Sequence, residues 1–167
     1  QGPYLVWTDE YVGLLAQQIA QFKARSGLPF VVLPTYYPPV PGTDLNKAKE
    51  WLDKIYAAGG RLIVGIPNYD DRKTSSFDVN YWNGSGRPKD SFKVFVEAFK
   101  DHPAIQGWNI FNEYNYLAKD HPEWFGAKNI DGAIKNILEA TEYAAVQVKG
   151  IDKNHPVYTI WSGLPDK

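Results

Sequence analysis

Short apolar runs alternate with longer stretches in which apolar positions recur every three or four residues. The two periods are those of strand and helix. Residues 4–8 form the first apolar run, and 9–25 follow as a helix with Val12, Leu15, Ile19 and Phe22 on one face. Phe30-Val31-Val32-Leu33 is continuous and β-branched, fit for a strand buried on both faces. Asp44 is placed to cap a helix over 45–58, which closes at Gly59-Gly60. A third strand is expected at 61–66. A helix at 89–101 carries Phe92, Phe95, Val96 and Phe99 on one side. A fourth strand at 104–111, a helix at 130–149 and a fifth strand at 157–161 complete the series. The segments 67–87 and 112–129 read as long loops.

The order β-α-β-α-β-α-β-α-β implies a parallel sheet with crossover helices. Connections after helices are short, whereas those after strands are long and aromatic, so the functional face is expected at the strand C-termini. The fold class expected is α/β: a partial (β/α)8 TIM barrel of five parallel strands with alternating helices, forming one incomplete domain over residues 1–167. Five strands cannot close a barrel that needs eight. Their free edges invite pairing with another chain, so a homo-oligomer or a complementing chain is expected. A rival architecture is an open flavodoxin-like sheet with a ligand at its switch point. Against it, Gly84-Ser85-Gly86 lacks the strand-to-helix setting of a phosphate loop.

Composition narrows the partners. A net charge of −1 gives no electrostatic footprint for nucleic acid or an anionic membrane. No apolar run approaches the roughly 20 residues of a membrane helix. Cysteine is absent, which removes disulfides and thiolate metal sites. The chain opens on Gln1 and contains no Met. Signal-peptide removal or a cut from a longer chain would each give that start. A secreted or extracellular location is the expectation, with the cytoplasm left open. Asn83-Gly84-Ser85 is a glycosylation sequon, a triplet that also occurs by chance. Aromatic residues make up 15% of the chain, which suits either a sugar-stacking cleft or a bulky core.

One segment carries candidate chemistry. The run Asp101-His102-Pro103-Ala104-Ile105-x-Gly107-Trp108-Asn109-x-x-Asn112-Glu113 resembles the fourth-strand segment of retaining glycoside hydrolases built on (β/α)8 barrels, a clan that includes family-two-type β-glycosidases, cellulases and mannanases. Downstream, Tyr114-Asn115-Tyr116, His121-Pro122-Glu123-Trp124-Phe125 and Ile151-Asp152-Lys153-Asn154-His155-Pro156-Val157 resemble the loop, helix end and fifth strand of family-two-like barrels. The stretch 52–66 resembles their third-strand region, so the likeness spans nearly the whole chain. It implies that Glu113 is the general acid/base and that Asn112 binds the sugar 2-hydroxyl, a contact that strengthens in the oxocarbenium-like transition state. It also implies a nucleophilic Glu on a seventh strand, which has no counterpart in this sequence. Retention needs two carboxyls about 5–5.5 Å apart, so the isolated chain is expected to be inactive.

Asp9, Glu10, Asp70 and Asp71 lie on the correct face to replace that nucleophile, but a helix cap and a turn explain them as well. Tyr37 and Trp161 sit at strand exits, where aromatic faces stack on sugars. Asn68 and Tyr69, after the third strand, complete the candidate binding residues, although loop packing and an Asx-turn are the plainer roles. His102, His121 and His155 each precede proline. His102 and His155 occupy helix-to-strand turns on the opposite face, where a structural role is expected. No spacing of His, Asp and Glu matches a metal site, and no cofactor is expected. The functional expectation is a glycoside hydrolase-like protein whose partner is carbohydrate. The alternative is a non-catalytic protein that uses a half-barrel to self-assemble or to bind glycans.

Overall fold

The computed structural model describes residues 7–35, 44–65 and 91–163. Along them run α1 (Asp9–Ser26), β1 (Val31–Pro34), α2 (Leu45–Ala57), β2 (Gly60–Gly65), α3 (Ser91–Phe99), β3 (Ile105–Asn112), α4 (Tyr114–Asp120), a 3-10 turn (Pro122–Phe125), α5 (Ile130–Ile151) and β4 (Val157–Ile160). Helix ends follow local chemistry. Thr8 Oγ1 accepts the Tyr11 N–H, Asp44 the Lys47 N–H and Asn129 the Gly132 N–H, each satisfying an orphan donor of a first turn. α1 stops at Gly27, whose φ of 70° is the left-handed conformation that closes a helix.

The four strands are all parallel and lie in the order β1-β2-β3-β4. Sequential order with right-handed crossovers puts every helix on the same face of the sheet. The core has that arrangement: Val12 and Ile19 of α1, Trp51, Leu52 and Ile55 of α2, and Phe95 and Val96 of α3 join one buried cluster with Leu62, Val64, Trp108 and Ile110 of the sheet. Ala140, Ala144 and Val148 of α5 belong to it too. Their small side chains let the long helix approach closely. The order never reverses among the described strands, so the switch point of a flavodoxin-like sheet is absent from them.

The sheet curls into a half-barrel of four strands, which corrects the expectation of a partial barrel with five. The fifth was expected at 4–8. Residues 4–6 lie outside the described residues, and Trp7 and Thr8 are not strand. Thr8 is the N-cap of α1. Trp7 is buried, packed edge-to-face on Tyr11 and stacked near Trp51. Trp7 thus packs at the entry of a helix instead of forming a rung in a ladder. The alternating α/β order and the other four strands stand, with ends displaced by a residue or two.

β3 carries two irregularities. Against β2, Leu62 pairs with Ile105 and Ile63 with Gly107, leaving Gln106 as an extra residue. Against β4, Asn109 pairs with Tyr158 but Asn112 with Ile160, so three steps on β3 match two on β4. Both are β-bulges by count. At Gly107 the Tyr158 ring lies so close that a Cβ would stand 2.6 Å from its Cε2 and 2.9 Å from the Pro156 carbonyl oxygen.

The stretch 112–129, expected as a loop, holds α4 and the 3-10 turn. Ala118 and Phe125 pack there with Ala133 and Ile137 of α5 in a small second core.

Candidate functional site

β3 and β4 run side by side to the same rim, and their exits gather the candidate residues. Asn112 ends β3 and pairs in register with Ile160, the last residue of β4. The structure describes Asn112 by its backbone alone. The next residue, Glu113, donates its N–H to the Ile160 carbonyl at 2.7 Å. Trp161 follows Ile160 directly and is 37% exposed. Two residues expected on separate strands therefore stand at adjacent strand ends. Tyr37, Asn68 and Tyr69 lie outside the described residues, as do Asp70 and Asp71.

Glu113 has φ 58° and ψ 30°, and it is the single non-glycine residue with positive φ among those described. A left-handed conformation costs an L-residue about 1–2 kcal/mol, and such strain collects at functional sites. Glu113 also begins α4 without a side-chain capping bond. Its carboxylate is exposed and makes no hydrogen bond or ion pair among the described residues, so it is free to meet a ligand.

Asn115 is a residue that sequence reasoning passed over. It is 2% exposed. Its Nδ2 donates to the Ser162 carbonyl at 2.7 Å, and its Oδ1 accepts the Ser162 N–H at 3.2 Å. A side-chain amide thus matches the two groups of one peptide unit, as a strand neighbour would, and extends the β3–β4 ladder past its end. Trp161 is held from both sides, through Ile160 by Glu113 and through Ser162 by Asn115. Position 115 precedes Ala118 by three residues, and that helical spacing to a small apolar residue was the available signal of burial.

Asn109 also lies on the sheet face away from the helices. It is 2% exposed, and its Oδ1 has no hydrogen-bond partner among the described residues. An unsatisfied buried acceptor is rare and costly.

The opposite rim is built differently. Asp152 Oδ2 accepts from Trp108 Nε1 at 2.8 Å and pairs with His155 Nδ1 at 2.6 Å, while Oδ1 accepts the N–H groups of Asn154 and His155. Burial opposes ionisation of this carboxyl, but the four hydrogen bonds prevail and hold it at about 2. His102 Nδ1 accepts the Ala104 N–H at 3.0 Å, so its Nε2 carries the proton donated to Asp53 at 2.7 Å. Back on the rim where strands end, Asp9 at the start of α1 is committed to Trp51 Nε1 at 2.7 Å and Lys47 at 2.9 Å; those bonds lower its pKa. Glu10 is exposed in the first turn of α1.

Among the described residues, no group of three His, Asp or Glu could hold a metal ion. No described helix is long and apolar enough to cross a membrane. No protein-family model matches this chain, and no curated protein matches it.

Proposed function

We propose that the rim formed by β3 and β4 is the acid/base half of a retaining β-glycosidase site, with Glu113 as the proton donor. The observation that carries this reading is the placement of Glu113. An unpaired carboxylate in a strained left-handed conformation, at the exit of a central parallel strand, stands beside an exposed Trp on the neighbouring strand. C-terminal strand ends are where barrel-type α/β proteins build catalysis. In this reading Asn112 binds the sugar 2-hydroxyl and Trp161 stacks on a ring face. Among the described carboxylates, Asp9 and Asp152 are each engaged elsewhere. Action on extracellular β-linked polysaccharide accords with this chemistry.

Glu113→Gln removes the transferable proton while keeping size and backbone. An active assembly carrying it is expected to lose hydrolysis of an unactivated β-glycoside by about 10²–10⁴-fold. Undiminished hydrolysis would remove the assignment. An aryl glycoside with a good leaving group is the wrong substrate, since its departure needs little proton donation.

A second reading is a non-catalytic protein that self-assembles or binds glycans. It draws on the exposed sheet face, where Val32 and Tyr158 are each 39% exposed. Glycan binding that survives Glu113→Gln, without hydrolysis by either form, would favour it.

A further inference from the structure

Asn109 is the buried polar side chain that neither rim uses. Trp108 and Ile110, on either side of it, belong to the core beneath the helices, so Asn109 lies on the concave face of the curled sheet. In register it stands between Gly65 of β2 and Tyr158 of β4. Gly65 has no side chain to offer it. The Tyr158 ring lies against Gly107, two residues nearer the rim where strands begin. Asn109 itself is two ladder steps, about 7 Å, below the exit where Asn112 meets Ile160.

Two buried Asn side chains, each 2% exposed, can be set side by side. The fold uses both groups of Asn115, through the Ser162 carbonyl and N–H. It leaves Asn109 Oδ1 without a partner among the described residues. A buried acceptor in that state destabilises the fold, whereas an apolar side chain of the same shape is neutral or stabilising there. An amide that costs the fold stability and returns no bond within it points to a bond made with something else.

The surroundings narrow what that is. Oδ1 is an uncharged acceptor. Its neighbours on this face, Gly65, Gly107, Ile63, Tyr158 and Ile160, bring no carboxylate. A hard cation needs several oxygens at once, and a lone acceptor repels an anion. A neutral hydroxyl suits it, as donor, and the half-exposed Tyr158 ring adds an aromatic face on the adjacent strand.

We propose that Asn109 is the floor of the candidate glycan site, and that its Oδ1 accepts a hydrogen bond from a hydroxyl of a neutral sugar, directly or across one water. This rests on carbohydrate being the ligand at the rim above. Asn109 acts here in binding alone and takes no part in proton transfer.

Asn109→Leu keeps the side-chain volume and removes both polar atoms; Asn109→Ala removes them without filling the space. At least one of the two is expected to match or exceed the wild-type midpoint in a urea titration. A lower midpoint in both would mean that the fold itself uses the amide, and would overturn the proposal. Calorimetric titration with cellotetraose and β-1,4-mannotetraose should show wild type binding at least one of them. The variant that keeps its stability should bind that sugar about tenfold more weakly, as the loss of one hydrogen bond predicts. Equal binding by that variant, or binding of neither sugar by wild type, would also overturn the proposal. The glycosidase reading fails differently. Binding that depends on Asn109 without hydrolysis would favour the non-catalytic glycan-binding reading and leave the floor standing. Hydrolysis that is lost in Glu113→Gln but unchanged in the Asn109 variants would keep the acid/base role and remove the floor.

Discussion

The two rims of the sheet solve opposite problems. At the rim where strands begin, Asp152, His155, Trp108, His102 and Asp53 satisfy one another, and Lys149 adds bonds to the Lys153 and His155 carbonyls. Arg61 is placed against the Phe30 and Tyr56 rings on the same side. At the rim where strands end, one carboxylate is left unpaired in a strained backbone, one Trp is left exposed, and a single buried amide ties them together. The first rim holds the fold, and the second has groups to offer a ligand. The difference teaches that a charged residue's sequence position says little about its role until its hydrogen bonds are counted.

Substitutions at the two rims should therefore separate stability from chemistry. The largest effect is the loss of hydrolysis in Glu113→Gln described above, with thermal stability unchanged. Asp152→Ala inverts this. It strips the partner from a buried indole N–H and from two backbone N–H groups, and should cost about 3–4 kcal/mol in a urea titration. Acid should act on the same rim. Asp152, held at about 2, stays ionised in the fold at pH values where it is protonated in the unfolded chain. Its contribution of about 2 kcal/mol is complete above its unfolded value near 4 and is lost as pH falls toward 2. A melt series should show that fall in wild type and a shallower one in Asp152→Asn. Asn115→Ala should cost about 1–2 kcal/mol and make Trp161 more accessible to acrylamide, a readout assigned by Trp161→Phe. The smallest effect has the opposite sign. Glu113→Gly relieves the left-handed strain and should stabilise the protein by about 1 kcal/mol.

Most of the architecture was legible because burial follows period. Trp51, Leu52 and Ile55 on α2, and Phe95, Val96 and Phe99 on α3, lie inward as their spacing required. The error at residues 4–8 arose because an apolar run looks alike whether it pairs in a sheet or packs around a helix start, as Trp7 does on Tyr11. α4 escaped notice because a helix of seven residues has too few turns for a periodic signal. Glu113 was legible as chemistry but not as conformation, since a φ of 58° at a Glu has no local sequence sign. The Asn115–Ser162 bonds span 47 positions and depend on how two strands are aligned, which no local window contains.

The bulge between Asn109 and Asn112 gives the strand a tolerance that a regular ladder lacks. Three steps on β3 stand against two on β4, so one residue between them is surplus to the pairing. Loss of a single codon within positions 110–111 would remove that surplus, restore simple alternation and leave Asn112 opposite Ile160, with Glu113 still the next residue. Elsewhere along the strand the same loss would turn every later side chain to the other face. For a lineage of such chains, a one-residue deletion is a gradual experiment at the bulge and an abrupt one beside it.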